Sequence, residues 1–381
     1  MKFAFCLYKY FPFGGQQQYF LKIAKVCITR GHQVDVYTAY WEGEIPDGIQ
    51  VKMLPVQGVT NHRRRESLAE KLNPFVAAGH YDAVVGFIKM PGLDVYYAAD
   101  TCYAAKADEK SFLYRMTERC RSYLRMEKAV FDRSSITDIL LLSEKEKTIF
   151  MQYYNTPEHR FHLLPPGISR DRLAPPNLNK IREELRREIN IGMETNMVLL
   201  VGSGFKTKGV DRAIRAIHDL PKVLRDKTIL LIVGQDNPRF FQWLAWRLGI
   251  ADNVRFVGGR EDVSRFLFAS DLLFHPAYRE NTGTVLIEAM AAGLPVLTTD
   301  VCGFSCHIEY AGAGEIVPSP FKQETLNQLL VYMLTHEKKE QWQHNGMAYV
   351  AKTDVFSRAE KAADVIEKVS VDRHNKRKHI A

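Results

Sequence analysis

Twice in this chain a short apolar run ends in a glycine turn and passes straight into a segment with helical spacing, and nothing restricts the fold more. The run Lys2-Phe-Ala-Phe-Cys-Leu-Tyr8 is followed by Phe13-Gly14-Gly15, then by residues 17–30, whose apolar positions recur at helical intervals up to Gly31. Met197-Val-Leu-Leu-Val-Gly-Ser203 leads through a second glycine-rich turn into helical spacing over 210–220. Strand, glycine turn and helix open a βαβ unit, since parallel neighbours need a crossover longer than a hairpin.

Further apolar runs extend each unit. Residues 33–38, 82–87, 139–143 and 161–164 read as strands of the first sheet, and 229–233, 254–257, 272–275 and 296–298 as strands of the second. The 381 residues suffice for two domains at roughly 100–200 residues each. We expect an α/β chain with a Rossmann-like domain over 1–165, a second over 166–354, and a helix in 355–381 returning to the first domain and ending in a basic tail. The polar, proline-containing stretch 165–196 reads as the hinge, and the tail Arg373-His-Asn-Lys-Arg-Lys378 as frayed.

Several classes are excluded. No stretch approaches the roughly 20 apolar residues of a membrane-spanning helix, and the N-terminus lacks a secretory apolar core with a cleavage site. Cys6, Cys27, Cys102, Cys120, Cys302 and Cys306 lie in apolar segments without paired spacing, so reduced, mostly buried thiols and a cytoplasmic location are expected, with no structural zinc. The net charge of +8 favours anionic partners only where it is concentrated. With no recognised motif beside it, this charge argues against a nucleic-acid partner.

The most specific motif is His275-Pro-Ala-Tyr-Arg-Glu280-Asn-Thr-Gly283-Thr284-Val-Leu-Ile-Glu288-Ala-Met-Ala-Ala-Gly293-Leu-Pro295-Val. A helix beginning near Gly283 exposes free backbone N–H groups and a positive dipole end, so Gly283, Thr284 and Val285 suit a diphosphate. Glu280, ahead of the helix, suits sugar hydroxyls, and Glu288, between one and two turns in, suits a ribose diol. Spacing alone favours a plainer reading, with Glu280 on the surface and Glu288 solvated.

These residues resemble retaining glycosyltransferases of family 4, which carry a glutamate pair at this separation before the same small-residue helix and Gly-x-Pro turn. Gly14-Gly15, the segment Gly202-Ser-Gly-Phe-Lys206-Thr-Lys208-Gly209 and Val233-Gly234-Gln235 stand where that family has its recurring elements. Leu7-Tyr-Lys-Tyr-Phe-Pro-Phe-Gly-Gly15, Tyr40-Trp-Glu-Gly43, Lys89-Met-Pro-Gly-Leu-Asp-Val-Tyr96, Ala98-Ala-Asp100 and Leu164-Pro-Pro-Gly-Ile168 narrow the resemblance to the family's lipopolysaccharide-core heptose glucosyltransferases. It implies a GT-B fold, two Rossmann-like domains facing a cleft, and transfer of a hexose from a UDP-sugar to inner-core heptose at the inner face of the cytoplasmic membrane. The alternatives are a GT-B transferase for another lipid-linked acceptor, and a non-catalytic nucleotide-sugar-binding homologue.

The resemblance also assigns roles. Asp100 and Glu280 become the catalytic pair; Gly14, Gly15, Gly202, Lys206, Lys208, Arg260, Asn281, Gly283, Thr284, Val285 and Glu288 become donor contacts. No two aspartates stand two apart, so the usual metal-holding pattern of GT-A transferases is missing. No metal or other cofactor is expected, and Lys208 is the leading counter-charge for the diphosphate. Lys206 reads equally as a surface lysine, and Asp100 has the plainer reading of a helix cap. Close relatives in the family carry Arg-Asp after the glycine turn where this chain has Gln18-Tyr19, which removes an acidic acceptor-side contact.

Residues 103–131 hold seven basic side chains, among them Arg115, Arg119, Arg121 and Arg125, against four acidic ones, interleaved with Phe112, Leu113, Tyr114, Tyr123 and Leu124. Such a segment suits a helix lying on an anionic membrane surface; the plainer reading is a solvated helix packed on its own domain.

Overall fold

The computed structural model describes residues 1–12, 14–78 and 81–380; Phe13 of the first glycine turn lies outside the described residues. The chain forms two compact units, Met1–Pro165 together with Ser357–Ala381, and Pro166–Phe356.

The strands of the first unit are β1 (Lys2–Cys6), β2 (Lys9–Tyr10), β3 (Gln33–Thr38), β4 (Tyr40–Trp41), β5 (Ile49–Met53), β6 (Ala83–Gly86), β7 (Val95–Ala98), β8 (Asp138–Leu141) and β9 (Phe161–Leu163). Seven form a sheet in the order β5-β3-β1-β6-β7-β8-β9, every pairing parallel, and β2 pairs separately with β4. Central strands such as β1 and β6 are almost wholly apolar because helices cover both faces. On one face Phe20, Ile23 and Cys27 of the helix Gly15–Thr29 meet Phe3 and Phe5, together with Ala362, Ala363 and Ile366 of the last helix. On the other, Leu68, Leu72 and the stacked rings of Phe131 and Phe150, 3.7 Å apart, close over Tyr96 and Ile139.

That last helix, Arg358–Ile380, takes in the residues read as a basic tail. Arg30 is ion-paired with Asp364 at 2.9 Å and Glu367 at 3.1 Å, and Arg373 with Asp94, so the helix is held as far as the first residue of the basic stretch. The side chains of 376–378 lie outside the described residues.

The second unit has β10 (Asn196–Val201), β11 (Thr228–Val233), β12 (Val254–Gly258), β13 (Leu272–His275), β14 (Val296–Thr299) and β15 (Gly314–Val317), in the order β12-β11-β10-β13-β14-β15 and again parallel throughout. The strand order reverses direction at β10, where ligands of open α/β sheets bind beyond the carboxyl ends. All of the supposed hinge after Pro165 is instead part of this unit. It carries the helix Leu178–Glu188, whose Leu185 enters the core while the buried Arg186 bonds the carbonyls of Ala269, Gly192 and Thr195 and the carboxylate of Asp271. The stretch looks polar because its buried cation is satisfied by hydrogen bonds rather than replaced by an apolar side chain.

Candidate active site

In the second unit, β10 ends at Val201, and the chain turns through φ +145° at Gly202 and +80° at Gly204 before Gly209, φ +76°, caps the helix Val210–His218. A Cβ on Gly209 would stand 2.0 Å from the carbonyl oxygen of Pro276, so only glycine lets this loop lie against the chain leaving β13. Tyr278 N–H donates to the Thr207 carbonyl at 2.8 Å, and Arg212 donates to those of Pro276 and Ala277 at 3.3 and 2.9 Å. The 202–209 loop and the Glu280 loop thus form one body.

Within it the Lys208 ammonium is ion-paired with the Glu280 carboxylate, and His275 Nε2 stands 3.4 Å from the same oxygen. His275 is fully buried and Glu280 nearly so. Burial alone would raise the Glu280 carboxyl; the hydrogen bond with His275 and the charge of Lys208 outweigh it and hold it at about 2. Burial lowers the His275 imidazole, but its contacts with Cys302 and Glu280 win and leave it raised. Glu280 is therefore an anion held between the Lys208 ammonium and the His275 imidazole, and the plainer reading of it as a surface residue is set aside. Its backbone is fixed by a bridge to Cys302 and by the Gly303 N–H, 3.2 Å from its carbonyl.

Three residues later Gly283, φ +80°, caps the helix Thr284–Ala291, whose first-turn amides include those of Thr284 and Val285. Asn281 lies half-buried in the same loop. Glu288, on the helix, is 3.4 Å from Arg172 Nε. The two glutamates thus have different cationic neighbours, Lys208 for one and Arg172 for the other. Lys206 is turned elsewhere, pairing with Asp211 at 2.8 Å, an oxygen that also accepts from Tyr278 at 2.8 Å. The exposed Arg260 is committed in bidentate fashion to Asp262, at 2.8 and 3.0 Å.

Sequence reading gave no role to His275 or Arg172. His275 opens the motif as a polar residue ending an apolar strand, which is a legible signal. Arg172 lies over a hundred residues upstream in the supposed hinge, and nothing local marks it.

In the first unit, a cavity of about 210 Å³ beyond β1 and β6 is lined by Lys9, Gln16, Gln17, Arg65, Phe87 and the exposed Asp100. Asp100 does not cap the helix Tyr103–Asp108. The amides there are taken by Glu146, which accepts from Cys102 N–H at 2.8 Å, and by Glu127, which accepts from Tyr103 and Ala104 at 2.8 and 2.9 Å. Gly14 caps the helix Gly15–Thr29, and a Cβ there would collide with Gln17 at 2.0 Å, whereas one on Gly15 would meet open space. Tyr19 packs internally, near Tyr97 and under the Arg358 guanidinium at 4.3 Å.

The basic segment 103–131 is three helices, Tyr103–Asp108, Phe112–Arg115 and Glu118–Phe131, instead of one. Ser111 and Thr117 cap the second and third, accepting from the N–H groups of Tyr114 and Cys120, and so divide the run. Arg115 contacts Asp108 at 3.4 Å, Arg125 pairs with Glu66, and Arg119 lies 6.0 Å from the Tyr123 ring. Phe112, Leu113 and Met116 stand exposed beside them.

Residues 181–348 match the model of the glycosyl transferases group 1 family. The chain is 47% identical over 365 residues, 95% of its length and 98% of the other, to the lipopolysaccharide glucosyltransferase WaaG of Escherichia coli (strain K12). A crystal structure of WaaG, a glycosyltransferase involved in lipopolysaccharide biosynthesis, superposes with a TM-score of 0.91 at 47% identity, covering 96% of this chain and 99% of that one. At 25% identity over 83% of each chain, a D-inositol 3-phosphate glycosyltransferase of Corynebacterium aurimucosum is a more distant relative. With its two parallel-sheet units and the Glu280 and Glu288 motif in place, the chain is a GT-B protein and belongs to the group 1 glycosyltransferases.

Proposed function

We propose that this glycosyltransferase moves a hexose, glucose first among the candidates, from a UDP-sugar to inner-core heptose of lipopolysaccharide with retention of configuration and without a divalent metal. The Lys208–Glu280–His275 cluster carries the reading, since it assembles cation and anion from segments 72 residues apart at the head of the helix Thr284–Ala291. Lys208 and the amides of Thr284 and Val285 neutralise the diphosphate. Glu280, kept anionic by its neighbours, accepts hydrogen bonds from the sugar hydroxyls, with Asn281 beside it. Glu288, steadied by Arg172, takes the ribose diol, and the loop around Arg260 meets the base. Gly202, Gly14 and Gly15 complete the donor contacts, while Lys206 stays with Asp211; the open space beside Gly15 leaves room for a ligand.

Asp100 orients or deprotonates the acceptor hydroxyl. The bond from the anomeric carbon to the diphosphate oxygen breaks, the bond to the acceptor oxygen forms on the same face, and the acceptor proton leaves to Asp100 or the departing diphosphate. Arg115, Arg119, Arg121 and Arg125, with the exposed Phe112, Leu113 and Met116, hold the first unit on an anionic membrane surface, at the cytoplasmic face. Mass spectrometry of core oligosaccharide from a deletion strain tests the acceptor assignment. Loss of one hexose from the heptose supports it, and an unchanged core overturns it. A second reading, another lipid-linked acceptor, is favoured by Gln18-Tyr19, which place no acid after the glycine turn.

A further inference from the structure

The helix Arg239–Arg247 of the second unit reads Arg-Phe-Phe-Gln-Trp-Leu-Ala-Trp-Arg. Phe241, Leu244 and Ala245 are buried and suffice to pack it, Phe241 standing edge-on to Phe205 at 5.8 Å. At about 100° per residue, Arg239, Phe240, Trp243, Trp246 and Arg247 fall together on the opposite side within an arc of roughly 120°. All five are exposed, the aromatic three by 55%, 46% and 70%. Phe240 and Trp243 lie 6.0 Å apart, and the Arg247 guanidinium is 5.5 Å from the Trp243 ring. The helix contains no acidic residue, and among the described residues neither arginine is ion-paired. A helix on a soluble domain ordinarily turns polar residues to this side.

We propose that this face is a second lipid contact, through which the second unit lies on an anionic bilayer with its aromatic rings in the headgroup boundary and Arg239 and Arg247 on lipid phosphates. Tryptophan, phenylalanine and arginine on one face of a short helix are the composition of an interfacial helix. Guanidinium groups suit phosphate oxygens, and the face offers two without a competing carboxylate. A two-fold contact with another copy would set these arginines against their own kind with no acid on the face to pair with them, so the bilayer fits better. The inference rests on this helix alone and does not need the contact proposed for residues 103–131, which belong to the other unit.

The test uses the full chain and vesicles of brominated phosphatidylglycerol or phosphatidylcholine, which quench tryptophan only within the bilayer. The other tryptophans, Trp41 and Trp342, are half-buried and buried in their units. We expect strong quenching with the anionic vesicles, retained when Phe112, Leu113 and Met116 are all changed to serine. Phe240→Gln, Trp243→Gln and Trp246→Gln together should lower vesicle partition at least tenfold, with an unchanged melting curve. Arg239→Gln with Arg247→Gln keeps both tryptophans and should lose quenching selectively on anionic vesicles. Absence of quenching in the parent, or parent-like partition of the aromatic triple variant, overturns the proposal. So does concentration-dependent self-association that the triple variant abolishes, which would make this face a contact between copies.

Discussion

Lys208→Met bears on stability and donor binding at once. Its ammonium is paired with a carboxylate that is 13% exposed. Burial pulls the Glu280 carboxyl up, while His275 and Lys208 together bring it from the usual 4.5 to about 2. A displacement of that size corresponds to about 3 kcal/mol, held jointly by the two partners. Because the folded value is depressed, this stabilisation is full above pH 4.5 and drains away as pH falls toward 2. Removing Lys208 leaves a mostly buried carboxylate with His275 alone, and we expect a loss of about 1–3 kcal/mol at pH 7, below the range for a fully orphaned buried charge. The loss should shrink as the pH is lowered below 4.5, since the carboxyl can then protonate. Urea unfolding followed by circular dichroism at several pH values reads this directly, and calorimetry with UDP should show weaker binding. Lys208→Met with Glu280→Gln should recover most of the stability without recovering transfer. A single variant as stable as the parent at pH 7, with unchanged UDP affinity, would refute the reasoning.

Three further outcomes follow from the site. Glu288→Ala should weaken UDP binding by about 1–3 kcal/mol through lost charged hydrogen bonds, whereas Glu280→Ala should cut transfer and leave UDP affinity nearly intact; calorimetry beside a transfer assay separates them, and parent-like UDP binding by both removes the ribose assignment of Glu288. Gly209→Ala should lower the melting temperature sharply, because its Cβ has no room beside Pro276, while Gly15→Ala should fold normally and lose transfer; a fully active Gly15→Ala would show that no ligand approaches there. Changing Arg115, Arg119, Arg121 and Arg125 together to glutamine should reduce sedimentation with anionic liposomes in a salt-sensitive way, and unaltered sedimentation would reduce 103–131 to solvated helices.

The parts legible in the sequence are those where one local pattern carries the information. Buried parallel strands such as β1, β10 and β13 read as apolar runs, and Gly283 and Gly209 announce helix starts through the residues around them. β2, β4, β5, β7 and β15 are not legible: β5 is only partly buried, so it lacks a continuous apolar signal, β7 is a four-residue run, and β15 begins at Gly314, where a Cβ would meet the Val296 carbonyl at 1.9 Å. The supposed hinge was misread because Arg186 is a charged residue buried through carbonyl contacts, which composition cannot reveal. Arg172 beside Glu288 and Lys208 beside Glu280 are tertiary pairs; the first had no local sign, and the second was legible only through the resemblance of its motif. Residues 103–131 showed their charge and aromatics, but the caps at Ser111 and Thr117 that divide them into three helices were not recognised.

In the proposed function, Lys208, Glu280 and the helix at Gly283 serve a retaining, metal-free transfer from a UDP-sugar to heptose. Nuclear magnetic resonance of the product made from UDP-glucose and a heptose-terminated lipopolysaccharide acceptor in the presence of EDTA tests it most directly. An α-linked glucose on heptose is expected, formed at the same rate with and without EDTA and lost in Glu280→Ala. A β-linked product, or transfer that stops in EDTA and returns with magnesium or manganese, would contradict it.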